Sequence, residues 1–191
     1  MRAWMRAAVA ALAWGSAAAC SSESTAPSGG PVSTAELEFV RQAPTAPPLE
    51  AYRVSFWAVA GTTRKAEIRY ATGEDFLEFE VGSKSLWRRP DGTAFLPGDS
   101  ILITIAVDSV RFLAKFEPEG LRFSPEEPAE LEIEYAKADS AFLVREPELR
   151  MWRQERAGEP WWAVDPLRFD EDLDEIEVEV LGFTRYALAI H

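Results

Sequence analysis

The segment Glu130-Leu131-Glu132-Ile133-Glu134-Tyr135 alternates an acid with an apolar residue at every step. A period of two belongs to an extended strand, whose successive side chains point to opposite faces. The segment therefore predicts a strand with one buried side and one wet side. Glu175-Ile176-Glu177-Val178-Glu179-Val180 repeats the pattern. Working outward, the same period recurs. Tyr52, Val54, Phe56, Ala58 and Ala60 share a face within residues 51–60. Ala66, Ile68 and Tyr70 oppose Lys65, Glu67 and Arg69, and Leu77, Phe79 and Val81 alternate with Glu78 and Glu80. Tyr186, Leu188 and Ile190 close the chain. The run Ile101-Leu102-Ile103-Thr104-Ile105-Ala106-Val107 is apolar on both faces and reads as a central strand.

Turn signals separate these runs: Ala60-Gly61, Thr72-Gly73, Pro90-Asp91-Gly92, Pro97-Gly98-Asp99, Ala157-Gly158 and Leu181-Gly182. Pro118, Pro125, Pro128, Pro147, Pro160 and Pro166 interrupt most helical candidates. Short strands about ten residues apart predict an all-β fold, an antiparallel β-sandwich over residues 35–191.

The first residues read differently. Arg2 and Arg6 precede an uncharged, alanine-rich run that ends in Ala17-Ala18-Ala19-Cys20. That is the form of a secretory leader, and it is too short for a spanning helix of about 20 apolar residues. A small-residue site followed at once by the single cysteine resembles a bacterial lipobox, with Ala17 where leucine is usual. The resemblance implies a signal peptide over residues 1–19, lipidation of Cys20 and export to the cell envelope. Ser21, where aspartate would retain a lipoprotein at the inner membrane, implies the outer membrane. The alternative is an ordinary secretory signal that leaves Cys20 as a free thiol. Residues 20–34 are rich in Ser, Pro and Gly and read as a flexible tether.

The 191-residue chain carries a net charge of −12, and losing Arg2 and Arg6 with the leader takes it to −14. Such a surface repels phosphate backbones, which excludes nucleic acid as a partner, and membrane attachment then falls to the lipid. One cysteine gives no disulfide, so stability must come from packing.

Several segments carry a more specific likeness. Phe116-Glu117-Pro118-Glu119-Gly120-Leu121-Arg122-Phe123 is followed by Pro128-Ala129-Glu130-Leu131-Glu132-Ile133-Glu134-Tyr135. Leu149-Arg150-Met151-Trp152 and Pro160-Trp161-Trp162 come next, and Gly182-Phe183-Thr184-Arg185-Tyr186-Ala187-Leu188-Ala189 ends the series. In order and spacing these resemble the ZU-five domain, the β-sandwich module of zonula occludens proteins, netrin receptors and ankyrins. The likeness covers about residues 75–191, leaving 35–74 to add N-terminal strands. It implies a role in protein–protein contact. Locally, a turn at Gly120 with positive φ would let Phe116 and Phe123 re-enter the core.

Some relatives of that domain cleave themselves at a His-Phe-Ser site. Here the triplet is Gly182-Phe183-Thr184, and the only histidine is His191, so the general base is missing. The same scarcity argues against zinc sites and Ser-His-Asp triads. Ser83 and Lys84 are neighbours that a strand would turn to opposite faces. No catalytic residue and no cofactor is therefore expected. Asp170, Asp172 and Asp174 alternate like a calcium loop, but Glu175 and Leu181 stand where an EF-hand needs Gly and Glu. They are kept as weak calcium ligands beside the reading as a solvated turn. Trp161 and Trp162, with Trp152, are kept as weak sugar-stacking candidates, although neighbours in a strand cannot both face one way. The glutamate combs read as wet faces that deter edge-to-edge aggregation. The functional expectation is a lipid-anchored, non-catalytic module that binds an envelope protein. Polysaccharide or surface-ligand binding is the alternative, and a hydrolase with two converging carboxylates is the third reading.

Overall fold

The computed structural model describes residues 30–170 and 174–191. Every strand pairing is antiparallel. The strands are β1 (Glu38–Phe39), β2 (Arg53–Val59), β3 (Arg64–Arg69), β4 (Asp75–Val81), β5 (Leu86–Arg88), β6 (Ser100–Val107) and β7 (Leu113–Glu117). They continue as β8 (Arg122–Phe123), β9 (Ala129–Glu134), β10 (Arg150–Gln154), β11 (Trp161–Val164), β12 (Arg168–Asp170), β13 (Glu175–Val180) and β14 (Arg185–Ile190). One sheet of seven runs β11-β10-β14-β7-β6-β2, with β1 added on β14. A sheet of five runs β12-β13-β9-β4-β3, and β5 pairs with β8 as a short ribbon.

The two larger sheets close on one core, as the alternation requires. Ile103, Ile105, Phe116 and Tyr186 come from the larger sheet, and Phe79, Leu131, Ile133 and Val178 from the smaller. Gly120 has φ +84°, and Phe116 and Phe123 on either side of that turn are both buried. Tyr186 donates its buried hydroxyl to the Gly182 carbonyl at 3.1 Å, tying β14 to the turn before it.

Three expectations change in detail. Residues 101–107 do form an inner strand, β6, between β2 and β7, but Leu102 is 44% exposed because the outer face of the sheet is open there. The tether expected through Thr34 is fixed at its end. Val32 and Trp161 exchange both backbone hydrogen bonds at 2.8 Å, and the Trp161 indole donates to Thr34 Oγ1 at 3.1 Å. Val32 and Leu37 thus lay a second small core, with Trp152, Trp161, Ala187 and Ala189, against the outer face of the larger sheet. Finally, one short helix, α1 (Ser140–Leu143), appears where no helical period exists. The Asp139 carboxylate starts it by accepting from the Ala141 N–H.

Candidate functional site

The smaller sheet turns its carboxylates outward in rows. Pairing β9 with β4 and β13 sets Glu132 between Glu78 and Glu177, and Glu130 between Glu80 and Glu179. Glu134 faces Glu175. Side chains directly opposite on neighbouring strands stand about 5 Å apart, and like charges so placed repel. The cations that offset this repulsion sit on the outer strands. Lys65 pairs with Glu78, and Arg69 with Glu67 and Asp75 at 2.7 Å each. Arg168 pairs with Asp170 at 2.7 Å and with Glu175 at 3.2 Å. Partial burial and the surrounding carboxylates raise the Glu130, Glu132 and Glu134 carboxyls above the ordinary carboxylate range, and Glu132 reaches about 7.

Within this face, Glu132, Glu175 and Glu177 each offer a carboxylate oxygen, and all three lie within 4.8 Å of one another. Among the described residues this is the one such grouping of three potential metal ligands. Glu175 is only 7% exposed, and its Oε1 accepts no hydrogen bond. Its charge is offset instead by the Arg168 guanidinium, whose Nη1 stands 3.2 Å away. Three hard anionic oxygens on rigid strands can hold a hard cation.

The residues singled out from sequence fall elsewhere. Cys20 and Asp172 lie outside the described residues. Asp170 is held by Arg168, while the Asp174 carbonyl accepts from the Tyr135 N–H at 2.7 Å. Asp174 itself adopts φ +52°, and burial and the nearby Glu146 raise its carboxyl. The wet reading of the combs needs correction at Glu175, which is buried beside β12.

The tryptophans form no row. Trp161 is buried, Trp162 is half-buried, and Trp152 is buried with its indole donating to the Ala189 carbonyl at 3.1 Å. Thr184 is buried, and His191 sits at the far end of β14 with its ring edge-to-face on Trp152. A groove of about 410 Å³ does hold Glu148 and Asp165 together with Arg150, Trp152 and His191. Glu148, however, is tied to Arg145 at 3.0 Å, which holds its carboxyl below the usual range.

A second surface was not anticipated. β2 is the last strand of the larger sheet, and on it Trp57 is 60% exposed. Its cross-strand partner is the exposed Leu102. Beside them, Arg53 and Lys115 both bind Glu117 at 2.9 Å. The sequence placed Trp57 opposite the apolar face of its strand, which was the available signal.

The chain matches no family model, no curated protein and no solved structure.

Proposed function

We propose that this is an exported, lipid-anchored protein of the cell envelope whose sandwich binds a protein partner along the open edge strand β2, without catalysis. One observation carries the binding half: Trp57 and Leu102 stand exposed and paired on the edge of a sheet. A terminal strand offers backbone groups to an added strand, and an exposed aromatic beside it supplies affinity. The leader pattern ending at Cys20 supports the anchor. Gly30 lies ten residue steps after Cys20, a reach of at most about 35 Å, so a lipid on Cys20 would hold the sandwich close to its membrane. The order of the Phe116–Phe123, Pro128–Tyr135 and Gly182–Ala189 segments supports kinship with the ZU-five domain and the same class of role.

Two measurements test this reading. Radiolabelled palmitate is expected on the wild-type chain and absent from Cys20→Ala, which leaves the membrane fraction. Equal labelling of both overturns the anchor. A photo-crosslinking side chain at position 57 of the full chain is expected to capture one envelope protein, and the same probe at position 179 to capture none. Trp57→Ala is then expected to cost about 2 kcal/mol of affinity for the captured partner. Equal capture at both positions overturns the edge as the binding surface.

A further inference from the structure

We propose, on the premise that β2 is a binding edge, that the partner lays an extended acidic segment along β2 and β3, one in which carboxylates alternate with apolar side chains. β2 is the last strand of the larger sheet and β3 the last of the smaller. The turn between them, closed by the Thr62 N–H on the Val59 carbonyl at 3.0 Å, brings both edges to one side of the sandwich. Among the described residues no strand but β6 pairs with β2. The core shows through on that side. Val54, Phe56 and Ala66 pack on the main core yet stay only half-buried. Ile105 and Ile103, the partners of Val54 and Phe56 on β6, are fully buried. Alternate residues of a strand added to β2 would fall on the face that Val54 and Phe56 share, which asks for an apolar residue at every second position.

Charge decides the other positions. β2 and β3 carry Arg53, Arg64, Lys65 and Arg69 against one acid, Glu67, in a chain with 20 basic and 32 acidic residues. The acids nearby are already matched: Glu67 by Arg69, Glu78 by Lys65, and Glu117 by Arg53 and Lys115. Arg64 is left over. It is exposed and has no ion pair among the described residues. Its cross-strand partner is the buried Val81, so Arg64 shares the core-facing side of β3 and comes out at the open side between the two edges. A guanidinium there matches a carboxylate in both charge and shape. The glutamate rows point away from the other face of that sheet, and salt screens them over about 8 Å. Edge charges also deter unwanted pairing, but a row of one sign repels a basic strand and attracts an acidic one. A folded second copy cannot supply the segment, because its own alternating acidic strands, β9 and β13, each lie between two neighbours in their sheet.

The test is binding of two labelled, end-blocked octapeptides to the full chain in detergent, read by fluorescence anisotropy. One alternates Glu with Val. The other has four Glu followed by four Val, and so the same charge without the period. The alternating peptide is expected to bind at least tenfold more tightly than the block peptide, and to slow hydrogen exchange at the amides of residues 53–59. Arg64→Glu is expected to weaken it about tenfold, and Arg53→Glu repeats the test at the start of β2. Arg156→Glu, an exposed site on the turn between β10 and β11, is the control and is expected to bind like wild type. Each variant is compared only after its strand signal matches that of the wild type. Equal binding of the two peptides, no loss in either Arg64→Glu or Arg53→Glu, or an equal loss in Arg156→Glu overturns the acidic segment. So does the absence of peptide binding when the probe at position 57 still captures a partner, and the binding edge then stands. Absence of both peptide binding and capture at position 57 overturns the edge itself.

Discussion

Phe79→Ala is expected to lower the stability of the sandwich by about 3–5 kcal/mol. Phe79 is fully buried in the middle of β4. Its ring lies 5.0 Å from Phe116, 5.6 Å from Phe183, 6.1 Å from Phe123 and 6.4 Å from Phe56. Those rings belong to β7, the turn before β14, β8 and β2, so a single side chain joins both sheets and the ribbon. Flat, stiff neighbours cannot collapse into the space a phenyl leaves, and the cavity term is then near its maximum. No disulfide backs up this core, since Cys20 is the single cysteine. A domain has about 5–15 kcal/mol in hand, so the loss is a large share of it. Urea unfolding should show a lower midpoint with an unchanged slope. Phe169→Ala, at a half-buried ring stacked on Tyr135 at 6.2 Å, serves as the comparison and should cost less than half as much. Equal losses at the two positions would show that the sheets do not close on Phe79.

The longer strands were legible because each has six or more residues in which a period of two can declare itself. Residues 75–81, 175–180 and 64–69 needed no partner to be read. β1, β5, β8 and β12 have two or three residues each, too few for any period, and exist because a longer neighbour offers hydrogen bonds. The two tryptophans of β11 were expected to point apart, and they do. Which one is buried was decided by Val32 and Thr34, which cover Trp161 on the outer face from about 130 residues away. The carboxylate site had a similar fate. Both glutamate combs are plain in the sequence, but nothing local says that β9 pairs with β13 across some 40 intervening residues. Without that pairing, Glu132 and Glu177 are wet-face residues on separate strands. With it, they become neighbours, and Glu175 is pressed under the Arg168 of β12.

That crowding has a measurable consequence for pH. With chelator present, the chain is expected to grow more stable as pH falls from about 8 to about 5, against the usual trend for an acidic protein. Burial first, then Glu175, Glu78, Glu177 and Glu134, raises the Glu132 carboxyl to about 7. A carboxyl raised on folding binds its proton more tightly in the native state. Its contribution is therefore fully present below the unfolded value near 4.5 and is lost as pH rises through about 7. A shift of that size would be worth about 3 kcal/mol if fully felt, and water at this half-buried position screens it to about 1–2 kcal/mol. Glu130 and Glu134 are raised by the same causes and act in the same direction. The opposite group sets the lower limit. Glu74, Asp91, Asp99 and Glu117 are held below their ordinary values by hydrogen bonds and neighbouring cations, and their contribution is lost as pH drops below about 4. Stability should therefore peak near about pH 5. Glu132→Gln keeps the shape and removes the charge. It is expected to stabilise the chain by about 1–2 kcal/mol at pH 8 and by almost nothing at pH 4.5, flattening the profile between them. Urea midpoints measured at half-unit steps of pH decide the matter. A wild-type profile that is flat or rises from pH 5 to pH 8, or an equal gain from Glu132→Gln at both ends, would mean that the rows of glutamate are solvated well enough not to repel.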